Sequence, residues 1–425
     1  MTMTRTTRPL QISTYLNLHS PVSRWLSSVG AITTNTVIQG VGLLVFARTL
    51  GPAEYGVIVA ATAVATIAAE FVGFGAGDLL IREVSRDPTA HRSAFGRAFR
   101  LVGLSIVPVT VVAALVAQLW FPTGASFTVL VTLIASEILA TRLVFLTEQI
   151  AVAHHETHAA NASRMFSTAI RFGVICFAVF VAGVSTASEW ARYAIVGAVI
   201  SGGGCIAMSI CQFGTPDLRA PFRSELHIGI MFSLMQILRA AQYSVDKFGV
   251  GTLASTDVVG SFGIASRASQ VGVLPSNAVT RITYPMFFAR GSEGLDAAVE
   301  LARKIALPVV AVGIVSSAVL AAAACLLPTL LGVKFASAEP YLLIMATLPL
   351  AASLQNIGGS ILSGADFQFQ RVFAMAAGLA MTCAAMFLGA SLNGVAGAVE
   401  GYMAGQFFAA IALFAPIPYL RRRGG

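Results

Sequence analysis

Several charged and amide side chains interrupt long apolar stretches of this sequence, where they are suited to bind a charged or hydroxyl-rich molecule. The clearest set steps by three or four residues and so shares one helical face: Gln236, Arg239, Gln242 and Asp246. In the next apolar stretch Arg267 and Gln270 lie three residues apart. Arginine binds phosphate oxygens by paired hydrogen bonds, and lysine binds them as a point charge. The pattern predicts a cationic wall for an anionic molecule.

Two groups of candidate residues follow from this chemistry. A membrane carboxylate can exchange a proton as a cavity opens to either side, so Glu70 and Asp246 are candidates for ion coupling. Each of these charges can instead pair within the helix bundle or extend toward an interface, and both readings stay open. The candidate substrate-binding residues are Arg239, Arg267, Lys247, Arg48, Gln242, Gln270, Asn35 and Gln39.

The composition places these residues in a membrane. Charged residues make up 11% of the 425, hydrophobic residues 56%, and the mean hydropathy is +0.80. Soluble domains carry about 25% charged residues. This composition indicates a polytopic membrane protein and excludes a cytosolic enzyme, a secreted disulfide scaffold and a disordered chain. The five cysteines form no CxxC motif, and we expect neither a metal site nor a cofactor.

Apolar runs of about 20 residues predict spanning helices. With an internal amino terminus, eighteen lysines and arginines fall in cytoplasmic segments, three in external segments and six inside spans. This bias predicts that both termini of a multi-pass plasma-membrane protein are cytoplasmic. The twelve predicted spans are approximately 26–47, 55–78, 101–121, 125–146, 165–184, 192–212, 228–249, 258–282, 305–328, 340–363, 372–391 and 395–418.

The predicted organisation is all-α, with two six-helix lobes around a central cavity. A weak internal echo, LGPAEYG at 50–56 and DVVGSFG at 257–263, recurs about half a chain apart, as in a duplicated transporter. The connecting loops are too short for a soluble domain. The predicted divisions are a tail at 1–25, an amino-terminal lobe at 26–212, a linker at 213–227, a carboxy-terminal lobe at 228–418 and a basic tail at 419–425.

Short segments spread in order over most of the chain carry a family resemblance. They are ARTLGPAEYG at 47–56, GFGAG at 73–77, VGSFGIASR at 259–267, YP at 284–285, LGVKF at 331–335 and GVAGA at 394–398. The sequence thereby resembles the polysaccharide-biosynthesis and O-antigen flippase family. Its superfamily also holds multidrug extruders and lipid II flippases. The resemblance implies alternating-access transport of a polyprenyl-pyrophosphate-linked oligosaccharide or polysaccharide precursor to the outer leaflet.

Other functions remain open at the level of sequence. A cation-coupled multidrug extruder has the same architecture, but six bases against five acids within the spans favour an anionic cargo. A membrane-embedded polymerase or glycosyltransferase, or a non-transporting assembly scaffold, are alternatives of another class. The leading interpretation is a transporter and not an enzyme. Its expected partners are the lipid-linked oligosaccharide, membrane lipids and possible polysaccharide polymerase and export proteins, with no nucleic acid.

Overall fold

The described part of the chain is entirely helical apart from its turns and short connections. The structure is a computed structural model that describes residues 19–121, 124–154, 156–221 and 226–423, and these ranges contain no strand. This agrees with the all-α prediction. The α-helices are α1 His19–Ala69, α2 Ala76–Arg86, α3 His91–Trp120, α4 Phe127–Ala153, α5 Thr157–Phe180, α6 Ala187–Phe213, α7 Leu226–Leu253, α8 Thr256–Gly291, α9 Leu295–Ala324, α10 Leu327–Leu331, α11 Ala338–Met345, α12 Leu348–Gly364, α13 Gln368–Phe414 and α14 Pro416–Arg423.

Two long helices contain a break where the sequence requires one. In α1 the backbone leaves the helical region at Gly51, with φ 77°, and Pro52 follows. In α13 the break lies at Asn393 and Gly394, where Gly394 has φ 55°. Each helix therefore consists of two segments joined at a kink, in the places where the sequence predicts a loop between two spans.

The second predicted span ends earlier than expected. The expected range was 55–78, but the helix ends at Ala69 and turns occupy residues 70–75. Gly73, Phe74 and Gly75 all have positive φ, which a helix does not accommodate. The chain then enters α2, whose polar residues form a separate amphipathic helix. The tenth predicted span, 340–363, is likewise divided into α11 and α12 before Pro349.

The structure supports a multi-pass membrane protein. Eight segments of the described residues are long and apolar enough to cross a membrane, by length and composition alone. Helices α7 and α8 are not among them, although their 28 and 36 residues exceed the roughly 20 that a bilayer requires. These two helices carry most of the candidate polar residues. The count of twelve spans stays a prediction.

Helices α1 and α8 pack closely against each other through glycines. A Cβ atom on Gly56 would lie 1.9 Å from the Thr256 carbonyl oxygen, and one on Gly260 would lie 2.0 Å from the Pro52 carbonyl oxygen. Only glycine lets two helix backbones pack so closely. This contact brings the segment of α8 that contains Arg267 against α1.

Candidate functional site

Arg267 of α8 has an exposed side chain, and its charge acts beyond ion-pair distance on Glu137 of α4 and Lys247 of α7. Among the described residues, neither Arg267 nor Arg239, which is also exposed, belongs to an ion pair. Two guanidinium groups outside any ion pair of the described residues are therefore exposed, one on α7 and one on α8.

An ion pair between α4 and α5 faces the same region. The Nη2 atom of Arg171 donates to Oε2 of Glu137 at 2.6 Å. The Arg171 side chain is 47% exposed and the Glu137 side chain 20%. Glu137 is therefore paired with Arg171, and Arg267 acts on it only through its charge, without an ion pair.

A second acid–base pair, Asp246 and Lys247, lies on α7. Both residues are buried and make several hydrogen bonds. Lys247 Nζ contacts both carboxylate oxygens of Asp246, at 3.1 and 3.3 Å, and donates to the Tyr243 carbonyl oxygen at 3.2 Å. Ser266 of α8 donates to Asp246 Oδ2 at 2.6 Å. Asp246 is only 1% exposed. In this conformation the charge of Lys247 is neutralised within α7 and α8.

The candidate amides of α7 and α8 make hydrogen bonds inside the second half of the chain. Gln242 is buried and donates to Gln355 Oε1 at 3.0 Å, and Gln355 in turn donates to Gln406 Oε1 at 3.0 Å. Gln270 makes a longer contact of 3.4 Å with the Tyr243 carbonyl oxygen. These bonds join α7, α12 and α13, and Gln242 does not share the exposure of Arg239.

The candidates on α1 are spread along the helix. Asn35 is half-buried and accepts a hydrogen bond from the Thr168 hydroxyl of α5. Gln39 is exposed, and Arg48 is exposed three residues before the break at Gly51. The structure thus leaves Gln39 and Arg48 accessible, while Asn35 joins α1 to α5.

Glu70 lies in a different place, beside the break that separates α1 from α2. Its Oε1 atom is 2.5 Å from Nη2 of Arg142, a residue of α4 that is 7% exposed. Together with Asp78 and Gln236 these residues line a cavity of about 20 Å³, roughly the size for one water molecule. The buried Nε atom of Arg142 has no hydrogen-bond partner among the described residues. Glu70 is therefore held in an ion pair with Arg142, whereas Arg239 and Arg267 belong to no ion pair among the described residues.

The ion pair of α4 and α5 consists of two in-span charges that the sequence did not select as site residues. Arg171 could be considered there as a cavity-lining cation, and Glu137 only as a charge within a span. Glu137 and Arg171 carry opposite charges within the fourth and fifth predicted spans, and that complementarity was the available signal. Neither belongs to a polar helical stripe like the one on α7. Their pairing depends on the packing of α4 against α5, which the sequence pattern does not specify.

The described residues form a helical protein with several segments long and apolar enough to cross a membrane. Residues 22–290, more than half of the chain, match the polysaccharide biosynthesis protein family. The chain belongs to this family, which confirms the family resemblance. No curated protein matches the chain by sequence.

Three solved transporter structures resemble the fold at low sequence identity. An inward-facing multidrug resistance MATE family transporter of the MOP superfamily superposes with a TM-score of 0.75 and 14% identity, over 92% of this chain and 96% of that chain. Lipid II flippase MurJ in an inward closed conformation gives 0.74 and 11%, over 92% and 87%. An outward-facing MATE transporter gives 0.62 and 13%, over 91% and 96%. These likenesses establish the fold of the MOP transporters.

Proposed function

We propose that this protein is a flippase for a polyprenyl-pyrophosphate-linked oligosaccharide or polysaccharide precursor, which it moves from the inner to the outer leaflet. The observation that carries the proposal is Arg267 of α8, an exposed guanidinium that belongs to no ion pair among the described residues. A charge at the bilayer centre costs at least about 2.5–3.5 kcal/mol, so such a residue is expected to face water and an anion. Diphosphate is the anion that fits the family.

The proposed architecture is twelve spans in two six-helix lobes, 26–212 and 228–418, joined by the linker at 213–227. If both termini are cytoplasmic, as the distribution of lysine and arginine predicts, the Gly56–Gly260 contact lies at the external end of the cavity. The cavity is then open to the cytoplasm, where the lipid-linked precursor is made. The better superposition on the inward-facing than on the outward-facing transporter supports this state. Alternating access requires the external contact to separate.

Within this cavity Arg239 and Arg267 bind the diphosphate, and Arg171 adds a third guanidinium from α5. Gln39, Asn35 and Gln270 hydrogen-bond the leading sugars, and Arg48 lies near the outer mouth. Lys247 and Gln242 join the site only when the contacts with Asp246 and Gln355 open. Glu70 and Asp246 are proposed to couple transport to a proton or cation, because binding there competes with an existing ion pair.

The test is a flipping assay with the full chain in proteoliposomes. The substrate is a fluorescent polyprenyl-pyrophosphate oligosaccharide, and arrival in the opposite leaflet is measured by quencher access. Replacing Arg267 with alanine is expected to slow flipping about tenfold or more, since a charge-assisted contact contributes about 1.5–3 kcal/mol. Lys304→Ala, at an exposed ion pair on α9, is the control. Flipping at the wild-type rate by the Arg267→Ala protein would falsify the proposal.

A multidrug extruder is the second candidate, because two of the similar structures are multidrug resistance MATE transporters. The phenotype of a deletion strain distinguishes the two functions. A flippase predicts accumulation of a lipid-linked glycan on the inner leaflet and loss of surface polymer. An extruder predicts an unchanged glycan profile with reduced efflux of cationic dyes. A polymerase or glycosyltransferase would lengthen the glycan in purified form, and a scaffold would do neither.

A further inference from the structure

An apolar groove lies beside the carboxy-terminal end of α1, between α3 and α7. It encloses about 510 Å³, within the range of about 300–1,000 Å³ that is typical of ligand pockets. Its described lining contains one polar side chain, Ser105. The Ser105 hydroxyl accepts from the Gly73 amide at 2.8 Å and donates to the Leu101 carbonyl oxygen at 2.6 Å, so the lining offers no free polar side chain and fits a hydrocarbon. The residues that shape the groove include Val64, Phe71, Phe74, Leu104, Val112 and Phe248.

The turn at residues 70–75 forms one wall of this groove at the cost of backbone strain. Phe74 has φ 47°, a conformation that bulky residues rarely adopt. The rings of Phe71 and Phe74 are nevertheless 44% and 40% exposed, so the strain does not serve to bury them in the core. Strained residues cluster at ligand sites, where surrounding contacts hold them in place. Here the hydrogen bond from Gly73 to Ser105 ties the turn to α3, and two aromatic rings face whatever occupies the groove.

The same turn separates the groove from the charged cavity described above. Phe71 and Phe74 line the groove, whereas Glu70 and Gly73 line the cavity that also contains Arg142. An apolar site and a charged site thus lie back to back on one turn.

The groove also joins the two halves of the chain. Most of its lining comes from α1, the turn and α3, but Phe248 belongs to α7, the helix of Arg239. The Phe248 ring contacts that of Phe121, the residue after α3, with the ring centres 5.4 Å apart. A chain in the groove therefore touches both halves, between which the proposed function places the diphosphate.

We infer that the groove binds the isoprenoid chain of the lipid-linked precursor, while the diphosphate and sugars remain in the cavity between the helices. The inference rests on the proposed function and names the part of the protein that holds the lipid. Transfer of a hydrocarbon chain into a water-filled cavity is unfavourable, so the chain has to lie against an apolar surface at the edge of the cavity. The groove is such a surface, because it reaches α7 as well as α1 and α3.

A phospholipid acyl chain is the competing occupant, and the surroundings favour the isoprenoid. Lipid tails and apolar side chains are equally apolar, so packing decides which chain occupies the groove. Straight acyl chains pack equally well against the exposed residues of α3 outside the groove, such as Val107 and Leu119. A methyl-branched chain is broader and gains more contacts inside a concave recess lined by rings.

The experiment uses the full chain in phosphatidylcholine nanodiscs, with geranylgeranyl diphosphate that carries a diazirine at the end of its chain. After illumination, mass spectrometry locates the label. We expect it on the turn and on residues 101–116 of α3, and we expect excess polyprenyl phosphate to reduce it. Val112→Trp fills the groove at a position that is 60% exposed. It is expected to lower this labelling, and the flipping rate in proteoliposomes, about fivefold or more.

Val107→Trp is the matched control, on a valine of the same helix that is 67% exposed and lies outside the groove. It is expected to leave both quantities within about twofold. Should Val112→Trp not fold, Val116→Trp fills the same groove at a position that is 37% exposed, with the same expected result.

The outcomes separate this inference from the proposed function. Labelling that the groove-filling variant leaves unchanged, or that excess polyprenyl phosphate does not reduce, means that ordinary lipid occupies the groove and overturns the inference. Loss of flipping in Arg267→Ala would then still support the flippase assignment. If Arg267→Ala flips at the wild-type rate, the proposed function fails, and the inference fails with it.

Discussion

The two central acid–base pairs, Asp246–Lys247 and Glu137–Arg171, show two uses of charge within a membrane bundle. Asp246 is 1% exposed, and its pair is completed by Ser266 and the Tyr243 carbonyl oxygen. Arg171 is 47% exposed, and its partner also feels Arg267. In this conformation the first pair joins α7 to α8 and is hydrogen-bonded within the protein. The second pair is exposed on its arginine side, where a ligand can reach it.

The largest expected effect, on stability, comes from removing only the acid of the buried Asp246–Lys247 pair. Asp246→Ala leaves an ammonium group buried without a counter-charge, and loss of one partner of a buried pair costs about 3–5 kcal/mol. The thermal unfolding midpoint of the detergent-solubilised protein should fall sharply. Adding Lys247→Met removes the orphaned charge and should restore most of the midpoint. A double variant as unstable as the single variant would contradict the structural role of this pair.

The second prediction concerns the contact between α1 and α8, which a larger side chain at Gly260 would disrupt. Gly260→Val places side-chain atoms where the Pro52 carbonyl oxygen of α1 lies, so α8 must shift relative to α1 and carry Arg267 with it. Overpacking of this kind costs about 1–3 kcal/mol. We expect flipping to be lost while the Asp246–Lys247 pair, within α7 and beside α8, persists. Gly203→Val on α6, where nothing lies within 4 Å of the added Cβ, is the control for stability and flipping rate.

The membrane class, the helices and some of the charged residues could be predicted from the sequence, but the partners in the ion pairs could not. Composition and apolar run length predict the membrane class and the helices, and the stripe on α7 leads to Arg239. Helical geometry predicts which residues share a face but not which helix lies opposite. The partners of Glu137 and Glu70 are 34 and 72 residues away and depend on that packing. Lys247 pairs with its neighbour Asp246, a spacing that helical geometry does not favour.

The end of α1 at Ala69 is another feature that the hydropathy of the sequence did not predict. An apolar run continues to residue 78, and hydropathy alone extends the helix through it. The backbone instead turns at Gly73, Phe74 and Gly75, so that a Cβ on Gly75 would lie 2.1 Å from the Gly229 carbonyl oxygen of α7. The two glycines are a local signal for the turn, whereas the close approach to Gly229 depends on packing against α7, which hydropathy does not predict.

A smaller effect is expected from opening the accessible pair. Arg171→Gln removes a guanidinium that is 47% exposed, and the free energy of unfolding should change by no more than about 1 kcal/mol. Flipping should nevertheless slow, because the diphosphate loses one of its partners. The measurement is the ratio of flipping rate to folded protein, with Arg164→Gln on the same helix as the control. Equal loss in both variants would mean that any ion pair between α4 and α5 has this effect.

The smallest effect is expected at the exposed pair of Glu300 and Lys304 on α9. The two side chains are 67% and 65% exposed and one helical turn apart, so water and salt screen their attraction. Glu300→Gln should leave the unfolding midpoint and the flipping rate unchanged within error, in both low and high salt. A clear loss of flipping in this variant would show that charge removal anywhere on the protein slows transport. The effects expected for the Asp246–Lys247 and Glu137–Arg171 pairs could then not be attributed to their positions, because removing a charge far from both would slow flipping as well.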